Sequence, residues 1–439
     1  MLHLRVAAIA AWLFFARQAA VAQGVGNAEV HPQLMTEKCT IKGGCVKQNT
    51  SVVLDASFHG LRETNGTGSC GGYGGALSKE LCPDHEACAR NCVFDGADYE
   101  GSGVSANGSS LTLNMYMQRD GNMTSVSPRV YLLDAAEDNY EVLFLKNQEI
   151  SFDVDVSKLV CGMNGAMYLA EMNKTGARSA LNPAGAKYGT GYCDAQCPAL
   201  PFIDGVANIE SKGACCNEMD LWEANSLASA FTAHACSKPG VFQCKGDECN
   251  YLGICDKSGC AYNTWRLGNQ SYYGPNTSPT TDTPGSRFTV DTTRPFTVTT
   301  QFLKSEMPSG VFQGVLNEVR RLYVQDGVVI ENAGVADPYM PPGDSLRMSH
   351  CQALGKTFDD LGGLTTAGQA LDRGMVLAFS IWNDDRQFMN WLDAGNAGPC
   401  SLEEGAPALI REKRPDTSVT FSNIRWGDIG STYQMGVAK

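Results

Sequence analysis

Ser151-Phe152-Asp153-Val154-Asp155-Val156 sets an apolar side chain at every second position, with Ser151, Asp153 and Asp155 between them. Successive side chains on a β-strand point to opposite faces, so this stretch buries one face and wets the other. Residues 111–117, 129–133, 296–302, 321–330 and 375–382 read the same way. Between these runs lie many of the 47 glycines and a large share of the Asn and Asp residues, the usual material of turns. Helical signals are few, the best being residues 83–91. The economical architecture is all-β, a sandwich of two antiparallel sheets. One face of such a sandwich can curve into a groove that suits an extended chain.

Working outward, the N-terminus carries Arg5, then an almost wholly apolar run over residues 6–16, then Ala20-Val21-Ala22 with the small-x-small pattern of a cleavage site. Residues 1–22 are therefore expected to be a signal peptide, and that run is too short to span a bilayer. The mature chain is expected to be secreted, extracellular and free of any membrane. Loss of Arg5 and Arg17 would leave 32 basic against 47 acidic residues, a net charge of about −15. Such a surface repels polyanions, which excludes nucleic acid as the expected partner. No Pro/Ser/Thr-rich linker divides residues 23–439, and the turn-rich stretch 278–286 is too short to do so. One domain is expected, working as a monomer.

All 18 cysteines lie beyond residue 22. An even set in a secreted chain reads as a disulfide framework. Seven Asn-x-Ser/Thr sequons, at Asn49, Asn65, Asn107, Asn122, Asn173, Asn269 and Asn276, fit a eukaryotic secretory route.

The chemistry concentrates in Cys215-Cys216-Asn217-Glu218-Met219-Asp220-Leu221-Trp222-Glu223-Ala224-Asn225. On a regular strand Glu218 and Asp220 share a face while Glu223 points to the other. A β-bulge between Asp220 and Glu223 would bring all three onto one face. Two carboxyls about 5 Å apart across a scissile bond are what a retaining glycosidase needs, one attacking carbon and one protonating the leaving oxygen. Asp220 could hydrogen-bond Glu218 and keep the two pKa values apart. A solvated acidic strand edge gives the same residue types, so spacing alone leaves both readings open. A calcium site is a poorer fit, because Leu221 and Trp222 leave too few oxygens.

The Cys-Cys-x-Glu-x-Asp-x-Trp-Glu-x-Asn pattern closely resembles the catalytic strand of family 7 glycoside hydrolases, the fungal cellulases. Further matches are Ser51–Asp55, Phe152–Val156, Cys161–Gly165, Tyr188–Cys197, Tyr323–Gly327 and Phe421–Ile424. The resemblance implies a β-jelly-roll sandwich with a long cleft and few short helices; with no linker in the chain, a single catalytic domain without a separate carbohydrate-binding module is expected. It implies Glu218 as nucleophile, Glu223 as acid/base and Asp220 as the residue that orients and tunes the nucleophile. It also implies nine disulfides: 39–45, 70–92, 82–88, 161–400, 193–216, 197–215, 236–255, 244–249 and 260–351. The chemistry needs two carboxyls and water, so no metal or other cofactor is expected.

Several residues gain a substrate-binding role from the same resemblance. Trp382 and Trp391 match sugar platforms on either side of the cleavage point; indole faces stack on the apolar faces of pyranose rings. His234 matches a cleft-lining His beside the leaving-group site, although its flanking prolines are replaced by alanines. Asn164, Tyr168, Tyr192, Asp194 and Gln196 match polar residues around the central sugar sites. Arg129 and Arg266 match arginines that are either cleft-lining or structural.

The family divides into tunnel-enclosed cellobiohydrolases and open-cleft endoglucanases. Here only residues 211–214 separate Glu210 from Cys215, and segments 249–255 and 392–399 are also short. Ser57-Phe58-His59-Gly60 stands where the tunnel enzymes carry entrance tryptophans. The resulting expectation is an endo-β-1,4-glucanase acting on cellulose and related β-glucans. An exo-acting cellobiohydrolase and a non-catalytic glucan-binding sandwich are the alternatives. Segment 331–350 is the one departure that could partly cover the groove.

Overall fold

The computed structural model describes residues 24–71, 76–277, 287–305 and 314–433. The expected signal peptide, residues 1–22, and the turn-rich stretch 278–286 lie outside these. No described helix is long and apolar enough to cross a membrane.

Phe152, Val154 and Val156 point into the main core, together with Ile150, Phe296, Phe302, Phe379 and Phe421. Their strand, Glu149–Asp155, lies inside a ten-stranded sheet between Phe296–Lys304 and Ser418–Gly427. Leu316–Gln325 follows beyond Phe296–Lys304 in the same sheet. The second sheet has eight strands. Its main path runs Cys260–Asn263, Ser229–His234, Glu218–Ala224, Met163–Ala170, Met375–Asn383, Arg129–Leu133 and Ser51–Leu54. Its neighbours pair antiparallel throughout this path. The ten-stranded sheet contains one parallel pairing, Thr36–Thr40 against Ser418–Gly427. The core fills the space between the two sheets, and Trp222 sits within it among Phe152, Tyr273, Phe296 and Tyr323.

Two expected strands divide. Residues 111–117 break at buried Met115, giving Ser110–Asn114 and Tyr116–Arg119, which pair with different partners. Residues 321–330 form a hairpin, with Gln325 opposite Val328 across Asp326-Gly327. Both turn residues have positive φ, 54° and 76°, and Asp-Gly supplies that conformation cheaply. The helix expected over 83–91 spans His85–Asn91, with the Asp84 carboxylate accepting the Ala87 N–H at 2.7 Å.

All nine expected disulfides are present. Cys193–Cys216 and Cys197–Cys215 tie the residues just before Glu218 to the loop carrying Asp194 and Ala195.

Candidate active site

A cavity of about 780 Å³ lies on the outer face of the eight-stranded sheet. Its lining runs from Ser57 and Arg129 at one margin, through Tyr168, Ser380 and Trp382, to Thr232, Ala261 and Arg266 at the other. The groove therefore crosses the strands rather than following them. With neighbouring strands about 4.8 Å apart, seven strands give it a length of about 30 Å.

The middle of the groove is built by the strand Glu218–Ala224. Its register shifts against Met163–Ala170 between Met167 and Tyr168, and against Ser229–His234 between Asp220 and Glu223. This is the bulge that the carboxylate spacing required. Met219, Leu221, Trp222 and Ala224 turn into the core, while Glu218, Asp220 and Glu223 all line the cavity.

Each carboxyl has its own partners. Glu218 accepts the Ala195 backbone N–H at 3.0 Å, from the loop that the two disulfides hold. Glu223 accepts the Asn164 side-chain amide at 3.1 Å. Asp220 pairs with His234 Nε2 at 3.0 Å, in place of the expected hydrogen bond to Glu218. The other imidazole nitrogen, Nδ1, lies 2.7 Å from the Asp256 carbonyl oxygen. A carbonyl can only accept, so Nδ1 carries a proton, and Nε2 faces a carboxylate. Burial opposes the imidazolium, but Asp220 and Glu218 outweigh it and push His234 up to about 10.

Burial raises both glutamates, and the Asp220 charge raises them further. Asp194 adds to the rise at Glu218, while His234 and the Ala195 N–H offset it. Glu223 is pushed up to about 8 by burial first and Asp220 second, with His234 and Asn164 opposing. Burial and the Asp220 charge favour the protonated form of Glu223, the state a general acid needs, while His234 and the Ala195 N–H work toward the ionised form of Glu218.

The expected binding residues fall into three sets. Trp382 and Trp391 both line the cavity, and their rings are neighbours, 6.2 Å apart and 30° from parallel. They form one continuous indole shelf. Tyr168, Tyr192, Asp194 and Gln196 also line it, joined in a hydrogen-bonded row. Tyr168 and Tyr192 hydroxyls are 3.1 Å apart, Tyr192 donates to Asp194 at 2.6 Å, and Asp194 accepts the Gln196 backbone N–H at 2.8 Å. Asn164 is fully buried and is not part of the lining; its amide spans Glu223 and the Ala224 N–H. His234 borders the cavity, yet both its nitrogens are committed within the protein.

Other lining residues were not among the expected binding residues: Ser57, Phe58, Tyr251, Lys257, Ser258, Asp384 and Gln387. Tyr251 comes from the short segment between Cys249 and Cys255, and Phe58 from the stretch that replaces the entrance tryptophans. Both Arg129 and Arg266 reach the groove. Arg129 lies over the Tyr192 ring at 3.5 Å and pairs with Asp55 at 3.0 Å, while Arg266 donates to the Trp391 carbonyl at 2.7 Å. None of residues 331–350 lines the cavity. That segment closes the core instead: the Tyr262 hydroxyl donates to the Ala333 and Gly343 carbonyls, and Ser345–Arg347 pairs with Leu316–Gln325.

Known proteins resemble this chain along nearly its whole length. The chain is 54% identical over 408 residues to the probable endo-beta-1,4-glucanase celB of Aspergillus terreus, covering 92% of this chain and 93% of that protein. The native structure of Humicola insolens endocellulase EGI superposes with a TM-score of 0.86 at 47% identity, covering 93% of this chain and 100% of that one. A family 7 cellobiohydrolase from Daphnia pulex gives a TM-score of 0.84 at 36% identity, covering 93% and 99%. The model of glycosyl hydrolase family 7 matches residues 23–433, so the chain belongs to that family.

Proposed function

We propose that this protein is a secreted endo-β-1,4-glucanase that cuts internal bonds of cellulose and related β-glucans with retention. The observation that carries this reading is the bulge between Asp220 and Glu223, which sets three carboxyls on the wall of a groove shelved by two indoles. Similarity to enzymes named endoglucanases over nearly the full chain supports the same conclusion. Residues 1–22 serve as the leader, and residues 23–439 form one catalytic domain acting as a monomer on the polysaccharide.

In the first step a Glu218 oxygen attacks the anomeric carbon. The glycosidic C–O bond breaks as Glu223 gives its proton to the departing oxygen, leaving the sugar esterified to Glu218. In the second step Glu223, now ionised, takes a proton from water, whose oxygen attacks the same carbon and releases Glu218. The Ala195 N–H holds the Glu218 carboxylate, and the Asp220–His234 pair sets the charge beside it. The indole shelf and the Tyr168–Tyr192–Asp194 row position the chain, with Gln196 beside them.

Endo action follows from access. The segments before Cys215 and between Cys249 and Cys255 are short, and Phe58 and Gly60 replace tryptophans at the groove's far margin. A polymer can then settle sideways across the groove. The viscosity of a soluble, substituted cellulose is expected to collapse while few reducing ends have appeared. A fall only in proportion to released cellobiose would assign the protein to the chain-end enzymes instead.

A further inference from the structure

Arg321 is buried to 1% exposure in the middle of Leu316–Gln325, on the sheet opposite the groove. Among the described residues no carboxylate forms an ion pair with it; burial is the largest influence on its charge, followed by Tyr323, Tyr272 and Tyr273. A guanidinium placed in a core without an anion is costly, so its contacts invite an explanation. Its Nη2 donates to the Leu221 carbonyl. Its guanidinium also lies 4.4 Å from the centre of the Phe231 ring and 5.7 Å from that of Trp222.

These three residues are the bulge. Asp220 pairs with Thr232 and Glu223 with Ala230, so Leu221 and Trp222 together oppose Phe231 alone. On the other side, Met167 pairs with Trp222 and Tyr168 with Asp220, leaving Leu221 without a partner. A bulge disrupts the ladder and frees a backbone group that must find another acceptor or donor. Here the donor comes from across the core.

We propose that Arg321 is a positioning residue for catalysis, locking the Leu221–Trp222 bulge and thereby fixing Glu223 relative to Glu218. The inference rests on the two-glutamate reading of the site. Glu218 and Asp220 precede the extra residue and Glu223 follows it, so the bulge decides whether they share a face. A regular strand would turn Glu223 away from the groove. The guanidinium's planar fork and faces meet a carbonyl and two rings at once, which an ammonium does less well.

The test uses the full-length secreted protein with Arg321→Met, Arg321→Lys and Phe231→Leu, the last keeping the donor while removing one ring. Two substrates are compared: a neutral β-1,4-glucan, which needs acid assistance, and an aryl cellobioside whose leaving group needs none. Arg321→Met is expected to lower kcat/KM on the glucan about 10- to 100-fold, the scale of an ångström-sized misplacement. Its loss of kcat/KM on the aryl glycoside, which reports the first step alone, should be at least fivefold smaller. Arg321→Lys should recover part of the glucan activity through its single donor, and Phe231→Leu should show the same selective loss in weaker form. Equal losses of kcat/KM on both substrates, or glucan kcat/KM within threefold of wild type in a folded Arg321→Met, overturn the proposal. Should Arg321→Met not fold, the selectivity of Arg321→Lys and Phe231→Leu decides by the same criterion. Failure of the wild-type protein to cut the glucan at all would instead overturn the proposed function.

Discussion

Glu218→Gln is expected to lower turnover on β-glucan by about 10⁴-fold or more, on the scale seen when a covalent nucleophile is removed. The amide keeps the Ala195 contact and the shape of the site but cannot form the ester intermediate. Glu223→Gln should behave differently. On glucan it forfeits general acid catalysis, about 10²- to 10⁴-fold. On an aryl glycoside with a good leaving group its first step should be nearly intact, and the ester should accumulate because no base activates water. The pH dependence carries the same signature. Protonated Glu223 is the working acid, so wild-type activity on glucan should fall as pH rises through about 8, the value to which burial and Asp220 push it. With the aryl substrate and Glu223→Gln that alkaline fall should vanish. Steady-state and burst kinetics across pH check both statements. Near-wild-type glucan hydrolysis by Glu218→Gln would remove the assignment.

Complete reduction should unfold the protein. Cys161–Cys400 joins residues 239 apart and Cys260–Cys351 residues 91 apart, so both restrict the unfolded chain strongly. Each long-range bridge contributes about 2–4 kcal/mol, against a total stability of about 5–15 kcal/mol for a typical domain. Cys193–Cys216 and Cys197–Cys215 add a local effect, since they hold the Ala195 N–H against Glu218. Partial reduction that opens only these two should cost activity before it costs fold. Far-ultraviolet circular dichroism and the fluorescence of buried Trp222, followed during reduction alongside glucan hydrolysis, separate the two stages. Retention of the melting temperature after all 18 cysteines have been alkylated would contradict the scheme.

Period-2 alternation made strands such as Ser110–Asn114, Glu149–Asp155 and Phe296–Lys304 legible, because core-facing residues alternate there with polar ones. Met163–Ala170, by contrast, is buried on both faces and shows no such alternation. The Glu218–Asp220–Glu223 spacing made the bulge legible, since three acids can share a face only if the strand slips by one residue. Other features were set by distant contacts. Asp220 turns to His234 because the neighbouring strand delivers an imidazole with its far nitrogen already bonded to Asp256. Nothing near Asp220 in sequence announces that choice. Asn164 lies on the strand beside Glu223, but its side chain is spent on Glu223 and the Ala224 N–H. The helix Gly363–Arg373 went unread although Leu364, Ala367, Gly368 and Leu371 follow helical spacing and are buried. Its glycines obscured it, and one of them has a packing reason: a Cβ on Gly368 would come within 2.5 Å of the Leu316 side chain. Segment 331–350 was readable as a lid by length alone; Tyr262 draws it to the core instead.

The central claim is that Glu218 and Glu223 act on opposite sides of one bond by double displacement. Its most direct measurement is the anomeric configuration of the first-formed product, followed by proton NMR from the moment wild-type enzyme meets a soluble β-1,4-glucan or cello-oligosaccharide. Two inversions at one carbon predict that the β-anomer appears first and the α-anomer grows in later by mutarotation. Initial appearance of the α-anomer would mean a single displacement by water and would contradict the account.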